Sequence, residues 1–180
     1  MKRIIVIAAA LLSLGSASVV TATGSLASTS GAACVFDAPK SISLLVGHVG
    51  WGFELPNGTW NFGANDGALS STTSDTREGN GSRATMLADF ADAASGANAY
   101  TEYKCVTVRA ANASAAQQEV TRERNESYSI LYNRDCESQV YNVLSKYGVK
   151  NLPSDSWDRV PNNWFGWLFL AGFPANPASL

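Results

Sequence analysis

Three cysteines, Cys34, Cys105 and Cys136, follow a segment typical of exported proteins, and this combination constrains the chain more than any other feature. The segment opens with two basic residues, continues with an apolar run and ends in small residues. That is the pattern of a secretory signal peptide. Cysteines pair in the oxidising compartment that such a peptide implies, so a monomer with three of them keeps one thiol.

The signal peptide sets the domain boundaries. We assign residues 1–27 to it and residues 28–180 to a single domain, although cleavage after Ala22 fits as well as cleavage after Ala27. The apolar run over 4–14 is shorter than the roughly 20 residues that span a bilayer. We therefore expect a secreted, extracellular protein with no integral membrane anchor after cleavage. A mature chain of about 150 residues is long enough to bury a core of its own.

The charge of the mature chain excludes two classes of partner. Loss of Lys2 and Arg3 with the leader changes the formal net charge from −2 to −4. No basic patch is visible, so we expect no nucleic-acid partner and no electrostatic attraction to an anionic membrane. We also expect no cofactor and no metal.

The cysteine pairing is open to two interpretations. Cys34 lies near the start of the mature chain, and Cys105 lies in an alternating, strand-like segment over 100–109. A bridge between them would attach the new terminus to a sheet and leave Cys136 reduced. The alternative is a bridge from Cys105 to Cys136 with Cys34 in a loose tail, which would remove the thiol.

A β-hairpin signal covers residues 41–63. Residues 41–55 alternate in polarity, a Pro56-Asn57-Gly58 turn follows, and a second strand-like run occupies 59–63. The chain's one histidine, His48, stands in the first strand beside glycines, which leave room for another element or a substrate. Counting by twos places one set of apolar residues on the face opposite to His48: Leu45, Val49, Trp51, Phe53 and Leu55.

The remaining segments predict a loop followed by helices. Residues 64–83 are rich in Gly, Ser, Thr, Asp and Asn, which indicates a long exposed or disordered loop. Apolar periodicity predicts helices over 83–94, 114–124 and about 135–147, the last one ending at Gly148.

Cys136 falls in the first turn of the last of these helices. Unsatisfied amide groups and the macrodipole at a helix start favour negative charge, and the thiolate is the reactive form of cysteine. Asn133 and Asp135 are both suitable caps. Asp135 beside the thiol would oppose its ionisation, so Asn133 is the cap that suits catalysis better.

An aromatic segment over 156–173 contains Trp157, Trp164 and Trp167. We interpret it as a helix that packs over the core. The alternative is an aromatic platform for a sugar or an acyl chain.

The order of these parts resembles the circularly permuted papain-like group, which includes permuted NlpC-type enzymes and relatives of lecithin retinol acyltransferase. The matching text is Gly47-His-Val-Gly-Trp-Gly-Phe-Glu54 and Tyr128-Ser-Ile-Leu-Tyr-Asn-Arg-Asp-Cys136, and the resemblance extends over 40–148. Many relatives place Asn directly before the nucleophile, where this chain has Asp135. The resemblance implies an α+β fold in which an antiparallel sheet packs against helices and the nucleophile stands at a helix N-terminus.

The resemblance also implies the roles of individual residues. Cys136 would be the nucleophile, with its backbone amide as an oxyanion donor, and His48 would be the general base. A polar residue on the following strand would orient the imidazole; Asn61 is the best match, and Glu54 and Asp66 are the alternatives.

The expected function is therefore a cysteine-dependent amidase or peptidase that works through a Cys136 thioester. Its expected substrate is a peptide or another amide, with cell-wall peptide as the first choice by analogy. The alternative is a non-catalytic, secreted binding or structural protein of the same fold.

Overall fold

A computed structural model describes residues 30–40, 46–65, 76–92, 99–126, 128, 134–155 and 160–180 of the chain. Within these residues the fold is α+β, with a six-stranded antiparallel sheet and four α-helices. In chain order the elements are β1 Gly31–Asp37, β2 Val49–Glu54, β3 Trp60–Asn65, β4 Thr76–Gly81, α1 Arg83–Asp92, β5 Glu102–Val108, α2 Ala113–Arg124, α3 Cys136–Tyr147, α4 Pro161–Trp167, a 3₁₀ helix Leu168–Ala171 and β6 Ala178–Ser179.

The sheet has the strand order β4-β3-β2-β1-β5-β6. The hairpin of β2 and β3 closes through the Pro56-Asn57-Gly58 turn, where Gly58 has a φ of +81°. β1 lies between β2 and β5 and pairs with both over most of its length. The sequence did not predict β1 as a strand, because its short apolar run directly follows the small residues of the leader.

Each face of the sheet has its own hydrophobic cluster. The helix face, as we call the side covered by α2, α3 and α4, buries Val35, Trp51 and Phe53 against those helices. The opposite face, which we call the α1 face, buries Phe36 and Phe62 against α1. The predicted alternation of β2 is confirmed, because Val49, Trp51 and Phe53 all belong to the helix face.

Close packing on the α1 face explains two glycines of β2. A Cβ atom at Gly50 would overlap the ring of Phe90, and one at Gly52 would overlap the sulfur of Met86. Both partners are buried residues of α1. The glycines therefore let α1 approach the sheet closely, which is a structural use of the space that they leave.

The helices predicted over 83–94, 114–124 and about 135–147 are confirmed as α1, α2 and α3, with residues 93–94 outside the described part. α3 ends at Gly148, which adopts the left-handed conformation with a φ of +114°. α4 buries Trp164 and Phe165, which confirms that the aromatic segment packs on the core, and Trp167 is 39% exposed. Trp157 lies outside the described residues.

The prediction of a continuous loop over 64–83 is wrong at both ends. β3 continues to Asn65, and β4 occupies Thr76–Gly81 as the edge strand of the sheet. β4 is polar, so composition gives no strand signal, and pairing with β3 supplies its order instead. Residues 66–75 lie outside the described part.

The disulfide joins Cys34 to Cys105, as expected. The two residues face each other in the register of β1 and β5, so the bridge connects adjacent strands. A disulfide fits a protein of an oxidising compartment. The predicted leader over 1–27 lies outside the described residues, and no helix among those described is long and apolar enough to cross a membrane.

Candidate functional site

Cys136 is the first residue of α3 and carries the thiol that the disulfide leaves. Asp135 caps the helix: its carboxylate accepts from the backbone N–H of Ser138 at 2.9 Å. The Ser138 hydroxyl in turn accepts from the Asp135 amide at 2.8 Å, which completes a capping box. The cap is therefore Asp135 and not Asn133, and Asn133 itself lies outside the described residues.

Tyr128 lies beside Cys136. Its hydroxyl forms hydrogen bonds with the backbone and with the side chain of Cys136. Burial raises the pKa of Tyr128, and the nearby Cys136 and Asp135 raise it further. With Tyr128 in place, Cys136 is 3% exposed.

His48 stands directly before β2 and is 5% exposed. Its backbone pairs with Ala38 through two hydrogen bonds of 2.8 and 3.1 Å. Its ring lies 5.7 Å from the ring of Tyr100, which packs edge-on against Phe90 at 4.8 Å. Ala38, Tyr100 and Phe90 belong to the α1 face, so the His48 ring lies on that face as well.

Cys136 lies on the other side of the sheet but toward the same end of β2. It belongs to the helix face together with Val49. At the far end of α3, the hydroxyl of Tyr147 donates to the carbonyl of Glu54 at 2.7 Å. Because α3 packs along β2 and its last residue meets the end of that strand, its first residue lies toward the strand start. The structure therefore brings Cys136 and His48 to one end of β2 without placing them on one face.

Asn61 has contacts other than the predicted one with His48. Its side-chain oxygen accepts from the indole N–H of Trp51 at 3.4 Å, and its side-chain amide donates to Glu78 at 2.5 Å. It pairs with Phe53, five positions from His48, which corresponds to about 16 Å along a strand. It also faces the helices, like Trp51. This geometry places Asn61 in the packing of the fold and not beside the imidazole.

Glu54, the second residue considered for the orienting role, does not adjoin His48 either. Glu54 ends β2, six positions from His48, and its backbone carbonyl meets Tyr147. Asp66 lies outside the described residues.

Asp37 is a buried carboxylate near His48 that sequence reasoning missed. It is 3% exposed, ends β1 and pairs with Val49 in register. Burial raises the pKa of Asp37 to about 7, and repulsion from Glu102 adds to the effect, whereas His48 and Lys104 oppose it. A polar residue at the end of an apolar run was the signal in the sequence. Its environment depends on β1 lying between β2 and β5, which local pattern does not show.

Lys104 extends this charged row along the sheet. Its ammonium donates to the carbonyl of Phe165 at 3.1 Å and lies 4.7 Å from the centre of that ring. Burial lowers the pKa of Lys104, and the carboxylates of Glu102 and Asp37 oppose that shift. Buried charges of both signs thus meet at the His48 end of the sheet.

Tyr128 is the second residue that sequence reasoning missed, although it opens the motif that leads to Cys136. Nothing in the spacing indicates that the phenol lies beside Cys136. Among the described residues, no group of three or more His, Cys, Asp or Glu side chains is arranged to hold a metal ion.

Comparison with protein-family models, with curated proteins and with solved structures finds no match for this chain.

Proposed function

We propose that this protein is a secreted, cysteine-dependent amidase or peptidase on a permuted papain-like fold, with Cys136 as nucleophile and His48 as base. The observation that carries the proposal is the position of Cys136. It is the thiol left by the Cys34–Cys105 bridge, and it stands at the first residue of a helix whose start lies toward His48. The attacking species is the thiolate, which His48 would generate by taking the thiol proton.

The reaction would proceed through two acyl transfers. His48 takes the thiol proton, and the Cys136 sulfur attacks the carbonyl carbon of an amide. The carbon–nitrogen bond then breaks, and the imidazolium returns its proton to the departing amine. Water attacks the thioester with His48 again as base, which releases a carboxylic acid and restores the thiol.

The oxyanion formed in each step needs hydrogen-bond donors. The backbone amide of Cys136 is the first, since it belongs to the unsatisfied amides of a helix start. The hydroxyl of Tyr128 lies beside that amide and is our choice for the second. To accept a substrate, Tyr128 must move from its contact with the thiol and then donate to the substrate oxygen.

The proposal requires a different position of the His48 ring. In the described arrangement the ring packs against Tyr100 on the α1 face, and the thiol is covered on the helix face. We therefore propose that this arrangement is a resting form. His48 precedes the first residue of β2 and follows Gly47, whose φ is +78°. Because the His48 ring stands at the end of the strand, it has to pass only around that end to reach the side of the sheet where Cys136 lies.

An amide bond is the proposed substrate class, with cell-wall peptide first because an exported NlpC-type enzyme would meet it. This choice rests on the family resemblance and not on the site itself.

An activity assay with detection by mass spectrometry tests the proposal. The purified protein is incubated with muropeptides, and new termini are detected by liquid chromatography with mass detection. Cys136→Ala and His48→Ala should each abolish cleavage and leave the circular dichroism spectrum unchanged, whereas the exposed control Ser145→Ala on the same helix should cleave normally. Turnover retained in either of the first two variants would contradict the dyad.

The placement of His48 and Cys136 on opposite faces favours a second candidate, a non-catalytic secreted protein of the same fold. In that case the thiol is a small buried group of the core. No substrate would then acylate Cys136, and Cys136→Ala would retain whatever binding the wild type shows. A thioester adduct trapped on Cys136 by rapid acid quench excludes this candidate.

A further inference from the structure

The outer edge of β5 has a partner strand over only part of its length. β6 pairs antiparallel with Glu102 and Tyr103. Beyond them, over Lys104–Val108, no strand in the described part of the chain pairs on that side. An open strand edge presents N–H and C=O groups that an extended chain can pair with.

A cleft of about 470 Å³ lies beside this open edge. Its walls are the end of β5, the turn that follows α3 and the end of the 3₁₀ helix. Val106, Leu170 and Ala171 give it an apolar lining, and Leu170 is 52% exposed. An apolar cleft along a strand edge fits the side chains that point to one face of an added strand.

Among the described residues, the charged side chains that line the cleft are of one sign. They are Lys150, which is exposed, and Arg109, and none of the described lining residues is acidic. An occupant with a carboxylate at the end that meets Lys150 is therefore complementary to the cleft.

We propose that the outer edge of β5 and this cleft bind an extended peptide that adds to the sheet as a strand. The peptide pairs its backbone with Val106–Val108, places a small apolar side chain against Leu170 and directs an acidic group to Lys150. β6 already pairs with the same edge, so the peptide continues a pairing that the fold itself uses.

This binding site is separate from the proposed catalytic one. The cleft is lined by Gly148 and Val149, at the C-terminal end of α3, whereas Cys136 begins that helix. A helix of 12 residues is roughly 17 Å long. The proposal therefore holds whether or not the protein is an enzyme.

Fluorescence polarisation with a labelled hexapeptide of alternating threonine and valine, ending in glutamate, tests the proposal on the full domain. We expect a Kd on the order of 10 to 100 µM, typical of a small interface. Leu170→Asp should weaken binding by about tenfold or more, since it places a charge in the apolar lining. The control Phe169→Asp changes a neighbour that is 51% exposed and does not line the cleft, and it should bind like wild type.

Three further measurements decide between pairing, charge and catalysis. N-methylation of the alternate peptide amides that face β5 should abolish binding, because it removes the donors of a β-ladder, whereas N-methylation of the other alternate amides should not. Lys150→Glu should weaken the glutamate peptide several-fold and strengthen a peptide that ends in lysine. Cys136→Ser should bind unchanged.

Four results would overturn the proposal. The first is no binding at millimolar peptide, and the second is equal binding of the two N-methylated peptides, each blocked on one edge. The third is an equal loss of peptide binding in Phe169→Asp and Leu170→Asp. The fourth is a dimer in sedimentation experiments that Leu170→Asp dissociates. The last result would assign the edge to a second copy of this chain.

Discussion

His48 and Cys136 lie toward the same end of β2 and on opposite faces of the sheet. The ring of His48 lies against Tyr100 on one face, and the buried Cys136 lies beside Tyr128 on the other. The first question for this protein is therefore how accessible the thiol is, because a buried thiol reacts with neither a substrate nor an alkylating reagent.

Removal of the Tyr128 ring should expose the thiol. In the native protein, iodoacetamide should modify Cys136 at least about tenfold more slowly than in urea, because the residue is 3% exposed. Tyr128→Ala should raise the rate of Cys136 modification in the native protein toward the rate in urea. Tyr141→Ala, on the same helix as Cys136, should leave the native rate unchanged. Equal rates in both variants would mean that Tyr128 does not cover the thiol. Time-resolved mass spectrometry measures each rate.

Asn61→Ala should lower stability by about 1 to 3 kcal/mol, because the buried indole N–H of Trp51 loses its acceptor and Glu78 loses a donor. Glu78 keeps Gln117 and Arg124 as partners, which limits the loss. Urea unfolding measures the change. If Asn61 instead oriented His48, the variant would lose activity and retain the stability of the wild type.

The buried carboxylate of Asp37 should make stability fall as the pH rises. Its pKa increases from 3.8 to about 7 on folding, chiefly through burial, so the folded state binds the proton more tightly than the unfolded chain does. Stability from this group is complete below about pH 4 and is lost as the pH rises toward 7. Asp37→Asn should flatten the curve of melting temperature against pH in that window.

A matched control separates this effect from a general change of charge. Asp89→Asn removes the same charge from a side chain that is 43% exposed and pairs with Arg77, and it should leave the slope unchanged. Burial also raises the pKa of Glu123 to about 7, so a residual slope of melting temperature against pH should remain in Asp37→Asn. A full slope in Asp37→Asn would assign the pH dependence to other groups.

Loss of the Cys34–Cys105 bridge should cost about 4 kcal/mol in the chain-entropy description, given the sequence separation of 71 residues. The measurement is urea unfolding of two proteins: the single variant Cys136→Ala, which keeps the bridge, and the triple variant that adds Cys34→Ala and Cys105→Ala. Addition of reductant should lower the stability of the single variant to that of the triple variant. If the native bridge instead joined Cys105 to Cys136, reductant would not change the stability of the single variant.

Gly63→Ala should destabilise the sheet by about 1 to 3 kcal/mol, because the added methyl group would overlap the backbone carbonyl of Arg77 in β4. Gly166→Ala is its control, since nothing lies near that position and the residue is within α4. The control should be neutral or stabilising by about 0.5 to 1 kcal/mol. Thermal unfolding of the two variants shows whether crowding, rather than any added methyl group, is the cause.

Local signals predicted the elements that carry their own pattern. The alternation of β2, its Asn57-Gly58 turn and the glycine that ends α3 each follow from a few neighbouring residues. β1 and β4 lack such signals. β1 is ordered by the strands that pair with it on either side, and β4 is ordered by its single partner strand. Sequence therefore predicted the hairpin and the helices and missed the strands defined by tertiary pairing.

The candidate site divides in the same way. The position of Cys136 at a helix start is local and was predictable. The side of the sheet that each side chain occupies depends on which cluster each helix covers, and that is a property of the whole fold. His48 and Gly50 lie two positions apart, so both face α1. The resemblance to a family implied a pairing of His48 with Cys136 without considering which face of the sheet His48 occupies.

The bridge between β1 and β5 also affects the order in which this sheet can form. The β2–β3 hairpin closes through a short turn and needs no distant partner, so it can form early. β1 and β5 must find each other across 71 residues, which is the slow, entropically costly kind of contact. Once the two sulfurs are joined, that search is never repeated: a chain that opens locally while oxidised refolds with its central strand already held beside its neighbour.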